Sequence, residues 1–296
     1  MPVEADIVLS VRDLIVRFEL ADGSELTVLD GVTFDVLRGE TLVVIGGSGC
    51  GKSTLLNCLI GEIEPDAGTI MYRLPELGEV DLATAGDETR DAVRKRFGIL
   101  FQSGALFSSL TVAENVALPL KEHSHVASDI IDIVVAMKLQ QVRMLPHRDK
   151  YPAQLSGGQK KRAGLARATA LDPQLLFYDE PGAGLDPVTS SAIDELIMDL
   201  SHKLQVTSVV VTHDMDSAFR IADRMIMLQQ GKIMRIGPKR DFDALRAADP
   251  ARLATDEDRL IHQFLRGVAT GPLTDAEGMS EYEKVLVGVK SMAGIR

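Results

Sequence analysis

The sequence is poor in cysteine and contains no long apolar run. Its two cysteines, Cys50 and Cys58, have a spacing that fits neither a disulfide framework nor a metal site. No apolar run approaches the roughly 20 residues that a membrane-spanning helix requires. The N-terminal residues carry acids and lack both the basic-then-apolar pattern of a secretory signal and the pattern of a transit peptide. We therefore expect a cytosolic protein that reaches a membrane only through a partner.

The chain also lacks an excess of positive charge. Its formal net charge is −11, whereas a protein that binds nucleic acid needs a basic surface to neutralise phosphates. The basic residues cluster at one place, Lys160-Lys161-Arg162 with Arg167, and we interpret that run as mostly a solvated helix face. This composition disfavours nucleic acid as the main partner.

What the sequence does contain is a series of short apolar blocks. Such blocks are typical of strands that are buried on both faces of a parallel sheet, and they occur at residues 42–45, 99–101, 175–178 and 209–211. Helical patterns lie between them, at residues 55–60 and 190–204, and Asp186-Pro187 provides a cap and a first position for the second. The alternation predicts an α/β core.

Further segments flank this core. Residues 7–36 alternate between apolar and polar positions around Asp22-Gly23, which predicts an antiparallel strand pair. Residues from about 103 to 170 have mostly helical spacing and include a capping box, Thr111-x-x-Glu114, which predicts a helical insertion. A predicted hairpin, residues 225–228 and 233–236 joined at Gln230-Gly231, ends a core domain that covers residues 1–237.

Residues 238–296 are predicted to form a short C-terminal helical extension. Apolar residues at helical spacing form two stripes, the first made of Leu260, Ile261, Phe264, Leu265 and Val268, and the second of Tyr282, Val285, Leu286 and Val289. Apolar stripes need a surface to cover, so we expect this extension to dock on the core or on another chain.

One loop carries a complete phosphate-binding pattern. GGSGCGKS at residues 46–53 fits G-x-x-x-x-G-K-[ST] between an apolar run and a helical one, the context that this motif requires. Glycines let backbone N–H groups turn toward a polyphosphate, and the following helix N-terminus adds its dipole. We predict that Lys52 reaches the β and γ phosphates and that Ser53 ligates Mg²⁺. The predicted nucleotide-binding residues of this loop are Gly46, Gly47, Ser48, Gly49, Cys50, Gly51, Lys52, Ser53 and Thr54.

The two cysteines have different expected environments. Cys58 lies within an apolar helical pattern and is predicted to be a buried small hydrophobe. Cys50 occupies a variable position of the phosphate loop, where it either fills space or responds to oxidation.

A second candidate element is the acidic end of an apolar run. LLFY at residues 175–178 is followed by Asp179 and Glu180. An acid at the carboxyl end of a buried parallel strand faces the ligand crevice of such sheets. We predict that Asp179 holds Mg²⁺ through water and that Glu180 polarises the attacking water.

A third element is a serine followed by two glycines at the start of a helical pattern. Its predicted nucleotide-binding residues are Ser156, Gly157, Gly158 and Gln159, which form a second phosphate-binding helix terminus. The start of this helix and the Lys52 loop can bind the same γ-phosphate only if they lie close together in space. We therefore expect a two-fold dimer in which each nucleotide lies between the Lys52 loop of one chain and the Ser-Gly-Gly helix of its partner.

Taken together, these motifs resemble those of the ATP-binding cassette (ABC) transporter family, from residue 7 to about residue 237. The resemblance rests on GGSGCGKST, Gln102 in LFQSGALF, LSGGQ, LLFYDEP, GLDP at residues 184–187 and VVVTHD ending at Asp214, in the family's order. It implies a P-loop NTPase fold, with a RecA-like parallel-sheet core, an antiparallel β subdomain and a helical insertion. The activity that it implies is ATP hydrolysis with ATP and Mg²⁺ as cofactors.

The resemblance also implies roles for four further residues. Phe18 resembles the aromatic residue that stacks on adenine, and Asp186 resembles the aspartate at the dimer contact. Gln102 resembles the loop residue that senses γ-phosphate and Mg²⁺ while touching the membrane partner. His213 resembles the switch histidine, whose imidazole donates a hydrogen bond to developing phosphate charge in either its neutral or its protonated form.

Within the family, two segments resemble the cassettes of Mla/Mce-type lipid transport. They are residues 104–120, which contain GALFSSLTV and ENVALPL, and residues 262–267, HQFLRG, which lead to Gly271-Pro272. This resemblance implies a homodimeric ATPase at the cytoplasmic face of a bacterial inner membrane. It further implies a separate permease, Mce-domain lipid-binding partners and phospholipid as the transported molecule.

Two alternatives remain open at this level. An ABC importer for a polar solute would carry the same ATPase motifs, because cargo chemistry leaves little trace in this subunit. A non-transport ABC protein acting on nucleic acid or the ribosome is the other, and it is disfavoured by the single cassette, the absence of sustained heptads and the acidic charge.

Overall fold

The computed structural model of the protein describes residues 7–268. Within them the strands, in chain order, are β1 (Ile7–Glu19), β2 (Glu25–Leu37), β3 (Thr41–Ile45), β4 (Ala67–Leu74), β5 (Gly78–Asp81), β6 (Phe97–Leu100), β7 (Leu175–Asp179), β8 (Thr207–Thr212), β9 (Arg224–Gln229) and β10 (Lys232–Pro238). The helices are α1 (Lys52–Leu59), α2 (Asp87–Arg94), α3 (Val112–His123), α4 (Ser128–Gln141), α5 (Gly157–Ala168), α6 (Pro187–Leu204), α7 (Met215–Ile221), α8 (Lys239–Ala247) and α9 (Asp256–Arg266). Short 3₁₀ turns lie at Leu145–His147, Pro152–Gln154 and Pro250–Arg252.

A six-stranded sheet with the order β10-β9-β3-β8-β7-β6 forms the centre of the molecule. Strands β9, β3, β8, β7 and β6 run parallel, and β10 pairs antiparallel to β9 as the second strand of a hairpin. Every residue of β3 and β8 is buried, as continuous apolar strands require when both faces of a sheet are covered. The predicted α/β core is confirmed.

A second sheet, antiparallel, has the order β2-β1-β4-β5. The predicted pair is present as β1 and β2, but the sheet is twice as wide as the prediction, because β4 and β5 extend it. Strand β5 is only Gly-Glu-Val-Asp and has no apolar pattern of its own. It is held by its pairing with β4, which a reading of local periodicity does not detect.

Residues 103–170 are helical wherever they are regular, with α3, α4 and α5 packed on one another. The predicted capping box at the start of α3 is formed: Thr111 Oγ1 accepts from the Glu114 amide at 3.2 Å, and the Glu114 carboxylate accepts from the Thr111 amide at 2.7 Å. Among residues 7–268, no helix combines the length and the apolar character that crossing a bilayer requires.

The chain divides into two compact units between Lys239 and Arg240. In the second unit, α9 buries Ile261 and Leu265 as predicted, but it also buries His262 and Gln263. Leu260 and Phe264 are only half-buried and Val268 is exposed, so the buried face of α9 is rotated relative to the predicted stripe. The second predicted stripe, Tyr282 to Val289, lies outside the described residues. The domain boundary at residues 237/238 stays a prediction.

Candidate functional site

The loops that carry the predicted motifs leave one edge of the central sheet. In the register, Ile45 of β3 lies beside Thr212 of β8, Val211 beside Asp179 of β7, and Tyr178 beside Leu100 of β6. Because these strands are parallel and adjacent, their carboxyl ends meet. The phosphate loop, His213, Glu180 and Gln102 therefore follow neighbouring strand ends, although they are separated by up to 167 positions in the chain (213 − 46 = 167).

The phosphate loop folds tightly over the end of β9. The buried Lys52 side chain lies along the loop, and its Nζ donates to the carbonyl oxygens of Gly46 at 2.8 Å and Gly47 at 2.9 Å. A Cβ at Gly46 would overlap the carbonyl oxygen of Leu228 and would lie 2.6 Å from the Cys50 sulfur. Glycine is therefore required at position 46 by close packing.

Helix α1 begins without a side-chain acceptor. Its N-cap is Gly51, at φ 107°, which has no side chain to cap the helix, and no acidic residue lies in its first turn. By contrast, side-chain oxygens accept from first-turn amides in α3, α5, α6 and α7. The N-terminal amides of α1 are thus open to an external anion, which the helix dipole favours.

Both cysteines are buried, Cys50 within the loop and Cys58 in α1. Burial raises the pKa of the Cys50 thiol, against the opposing charge of Lys52. Burial also raises the pKa of Cys58 to about 12. Since the thiolate is the reactive form, both environments favour the space-filling role.

Asp179 is the last residue of β7, and one oxygen of its carboxylate is buried. Its Oδ1 is buried and makes no hydrogen bond within the described part of the chain. Burial and the neighbouring charge of Glu180 raise the pKa of Asp179, whereas Lys161 and Lys52 act in the opposite direction. A buried acceptor in this environment fits a cation ligand.

Glu180 is held by contacts from the end of β8. Its Oε1 lies 2.8 Å from Nδ1 of His213, and its Oε2 accepts from the Thr212 hydroxyl at 3.1 Å. The sequence interpretation did not identify Thr212, although its place beside His213 at the end of an apolar strand could have indicated it. Glu180 also has φ 46°, in the left-handed region of backbone conformation. This conformation is energetically unfavourable for residues other than glycine, and it recurs at functional sites.

Gln102 and Asp179 line the same open cavity. Its volume is about 520 Å³, and its other lining residues are Phe101, Ser103, Ala183 and Gly184. The cavity lies between the loop that follows β6 and the loop that follows β7, so the structure brings together two of the predicted metal-site residues.

Asn115 secures the loop that follows Gln102. It is fully buried in α3, accepts from the Phe107 amide at 2.8 Å, and donates to the carbonyl oxygens of Phe107, Leu110 and Thr111 at 2.9 to 3.1 Å. Its side chain thereby provides hydrogen-bond partners for backbone groups of a turn that is not paired with a strand.

Replacing Asn115 by alanine is expected to lower the free energy of unfolding by about 3 kcal/mol, because it leaves several buried backbone groups without partners. Urea unfolding followed by circular dichroism measures the change. The exposed amide of Gln140 in α4 provides the matched control, Gln140→Ala. A loss below about 1 kcal/mol for Asn115→Ala would contradict this account of the loop.

The Ser-Gly-Gly segment caps α5 and seats it against the start of α6. The Ser156 hydroxyl accepts from the Gln159 amide at 3.3 Å, and the Gln159 side chain accepts from the Ser156 amide at 3.0 Å. A Cβ at Gly158 would lie 2.5 Å from Thr189 Cγ2, and one at Gly157 would lie 3.1 Å from Leu185 Cδ2. The glycines therefore have a packing role in addition to the predicted one.

Asp186 is the N-cap of α6, as Asp186-Pro187 predicted. Its Oδ1 accepts from the amides of Val188 and Thr189 at 3.1 and 3.0 Å. Hydrogen bonds from the Thr189 hydroxyl and amide lower the pKa of Asp186. Phe18, near the end of β1, is 41% exposed, so it is available for stacking and is not a core residue.

The prediction of a solvated basic run is wrong at Lys161. This side chain is only 4% exposed, and its Nζ donates to the backbone oxygen of Glu180 at 3.0 Å. Burial lowers the pKa of Lys161 to about 8, against the attraction of Asp179 and Glu180. Helical spacing could have indicated that Lys161 is buried, because it lies three residues after Gly158 and four before Leu165, on the buried face of α5.

A phosphate loop, a strand-end acid pair and a glycine-led second helix arranged in this way define a P-loop ATPase cassette. The family model described as ABC transporter matches residues 29–183. The chain belongs to the ABC transporter family and is an ATPase of its cassette type, which binds and hydrolyses ATP. The family resemblance and the fold class inferred from the sequence are both confirmed.

Similar proteins include two that are named for transport of phospholipid and one named for transport of ribonucleotide. The intermembrane phospholipid transport system ATP-binding protein MlaF of Haemophilus influenzae is 36% identical over 88% of this chain and 92% of its own length. The protein of the same name from Escherichia coli K12 is 39% identical over 83% of this chain and 86% of its own length. The probable ribonucleotide transport ATP-binding protein mkl of Mycobacterium leprae is 38% identical over 85% of this chain, which spans only 67% of that protein.

Solved structures agree with the cassette fold. The dimeric ATP-binding cassette MJ0796, in a post-hydrolysis state bound to ADP and Pi, has a TM-score of 0.70 and 27% identity, over 78% of this chain and 98% of that one. The protein cbiO1 of Clostridium perfringens, part of the ABC transporter complex cbiONQ, has a TM-score of 0.71 and 29% identity, over 87% and 98%.

Proposed function

We propose that the chain is the ATPase subunit of a multi-chain transporter that moves lipid, most specifically phospholipid. The observation that carries this proposal is the similarity to the two MlaF proteins, which extends over 83 to 88% of this chain and 86 to 92% of theirs. The matches span 259 and 249 residues, which is longer than the predicted cassette of residues 1–237. The transporter motifs alone would support only the broader class.

In the proposed site, residues 46–54 bind the phosphates of ATP. The uncapped N-terminus of α1 presents its amides and its dipole to the anion. The Lys52 ammonium already lies along the loop, where it can exchange its carbonyl partners for the β- and γ-phosphate oxygens. The exposed ring of Phe18 stacks on adenine.

The residues proposed for Mg²⁺ are Ser53, Gln102 and Asp179. They fit a hard cation, because all three offer oxygen, Asp179 Oδ1 is a buried acceptor without a partner in the described chain, and Gln102 lines the same cavity. When bound, Mg²⁺ neutralises charge on the β- and γ-phosphate oxygens. Asp179 and Gln102 lie at the carboxyl ends of two neighbouring strands.

Glu180 and His213 are proposed to carry out the hydrolytic step. The Glu180 carboxylate accepts a hydrogen bond from water and orients its oxygen toward the γ-phosphorus. A bond forms between these two atoms as the bond from the γ-phosphorus to the bridging oxygen breaks, and the proton that the water loses passes to the Glu180 carboxylate, giving ADP and phosphate. A carboxylate can only accept hydrogen bonds, so Nδ1 of His213 donates to Glu180. A His213 ring that also donates from Nε2 to the phosphate carries a proton on both nitrogens and is therefore positively charged.

We also propose that two copies of the chain complete each site. Ser156 and Gly157 are exposed at the start of α5, and their side-chain and packing contacts lie within α5, α6 and the turn before them. They are thus free to bind a nucleotide held by a partner chain, with Asp186 at the contact. The dimeric form of the MJ0796 cassette supports a two-fold arrangement.

The proposed membrane partner is a permease, with an Mce-type lipid-binding protein in the same complex. The permease would dock between the helical insertion, residues 103–170, and the loop of Gln102, where Phe101 and Phe107 are exposed. The complex would place this chain at the cytoplasmic face of a bacterial inner membrane. Residues 1–237 would form the ATPase domain and residues 238–296 the extension.

A second candidate function is the import of a polar solute. It is favoured by the mycobacterial relatives, whose name assigns them to ribonucleotide transport at 37 to 38% identity. The lower coverage of those proteins, 65 to 67% of their length, makes them the weaker guide.

The two candidates are separated by reconstitution. The chain is co-expressed with the membrane proteins encoded beside its gene, purified in detergent and inserted into vesicles. We expect ATP-dependent transfer of a fluorescent phospholipid to acceptor vesicles and none with Glu180→Gln. Movement of a radiolabelled ribonucleotide without lipid transfer would support the second candidate, and co-purification of nucleic acid without a membrane partner would contradict both.

A further inference from the structure

Lys161 is a buried cation that the proposed mechanism does not yet use. It lies on the face of α5 that also buries Gly158, Leu165 and Ala168. Its Nζ passes from this helix to the loop after β7, where it donates to the carbonyl oxygen of Glu180 at 3.0 Å. Burying an ammonium group is costly unless fixed acceptors or charges compensate for it. The groups that Lys161 contacts therefore indicate what its burial achieves.

The Glu180 backbone that it reaches is constrained on both sides. The Glu180 amide donates to the Val211 carbonyl oxygen at 3.0 Å, and its own carbonyl oxygen accepts from the Ala183 amide at 3.1 Å in addition to Lys161. These contacts surround a residue with φ 46°. A non-glycine residue persists in this conformation only when its surroundings determine it strongly.

The charge of Lys161 also faces the acids of the site. Asp179 and Glu180 both raise the pKa of Lys161, although burial outweighs them. The ammonium in turn acts to lower the pKa of Asp179. Lys161 therefore contributes a geometric contact and a compensating charge at the residues assigned to metal binding and water activation.

We propose that Lys161 is a positioning residue for hydrolysis, which holds the Glu180 main chain in its left-handed conformation so that the carboxylate lies against the attacking water. The proposal rests on the proposed role of Glu180. It concerns the orientation of Glu180 and leaves nucleotide binding to residues 46–54. Since Lys161 is one turn into α5, it also joins the helix that begins at Ser156 to the water-activating residue of the same chain.

The first test compares Lys161→Met with Lys161→Arg and with Lys160→Met as the matched control. Lys160 precedes Lys161 on the same helix, carries the same charge and is assigned no role in the site. We expect Lys161→Met to lower kcat about tenfold or more, the loss that one charged hydrogen bond produces. The Kd of a fluorescent ATP analogue stays within about twofold, since the phosphate loop is untouched. Lys161→Arg recovers part of kcat, and Lys160→Met matches the parent.

The second test places Lys161→Met in a Glu180→Gln background and measures single-turnover hydrolysis. If Lys161 acts through Glu180, the second change adds little to the first. An equal further loss in the double variant, or a change in ATP affinity with kcat preserved, would overturn the proposal.

Folding is checked by circular dichroism, and Lys161→Gln is the second variant. It removes the charge and shortens the side chain while leaving a polar group in the buried site, so its kcat is expected to lie between those of Lys161→Met and the parent. Failure of both variants to fold would assign Lys161 to stability and overturn the positioning role. Normal turnover in Glu180→Gln alone would instead refute the role of Glu180. A silent Lys161→Met beside an inactive Glu180→Gln refutes only the present inference.

Discussion

Replacing Glu180 by glutamine is expected to reduce the steady-state rate of ATP hydrolysis at least about 100-fold while ATP still binds. Glutamine has the same shape: its carbonyl oxygen can keep the contact with Nδ1 of His213, and its amide group can donate to the Thr212 hydroxyl oxygen. Its neutral amide is a much weaker acceptor than a carboxylate and no longer orients the water by charge. Phosphate release measures the rate, and titration with a fluorescent ATP analogue measures the affinity.

The matched control is Glu195→Gln, which removes one carboxylate from an exposed position of α6. It should keep both the rate and the affinity of the parent protein. Turnover near the parent level in Glu180→Gln would remove Glu180 from the role assigned to it. A parallel loss of ATP binding would show that the substitution acts on the phosphate loop instead.

The second large effect concerns the composite site. Lys52→Ala removes the ammonium group that reaches the phosphates, and Ser156→Arg fills the exposed start of α5, so each variant alone should be nearly inactive. In a mixture, half of the dimers pair the two variants, and each of these contains one site with an intact phosphate loop and an intact Ser-Gly-Gly helix. The mixture should regain up to about a quarter of the parent activity.

The control mixture combines Lys52→Ala with a chain that carries both substitutions, because no complete site can then form. It should remain inactive. If mixed dimers are detected by differential tagging and the first mixture also stays inactive, the nucleotide does not lie between two chains as proposed. Activity of Ser156→Arg alone would contradict a role for the Ser-Gly-Gly helix altogether.

Much of the candidate site was accessible from the sequence because its residues are adjacent in the chain. The phosphate loop, the capping box of Thr111 and Glu114, and the Asp186-Pro187 start of α6 each depend on hydrogen bonds that span three to six residues. Short-range geometry of this kind follows from local residue order. The parallel strands were equally accessible, because burial on both faces leaves continuous apolar blocks.

The errors arose where a partner distant in the chain decides the structure. Strand β5 has no pattern without β4 beside it, and the buried face of α9 includes His262 because its ring reaches the carbonyl oxygen of Leu245 at 2.8 Å. Lys161 was predicted to be solvated because a lysine in a basic run ordinarily is, and that prediction was wrong. Here the acceptor lies 19 residues away, on the loop after β7.

The sequence by itself determined the chemistry: a loop shaped for a triphosphate, an acid pair at a strand end and the family to which they belong. The tertiary structure decided how those groups act on one another. Glu180 contacts Thr212, His213 and Lys161, and Asp179, with an oxygen that has no hydrogen-bond partner among residues 7–268, lines the same cavity as Gln102. These relations depend on which strands are neighbours in the sheet, and strand order is set by packing across the whole domain, which no local run of residues records.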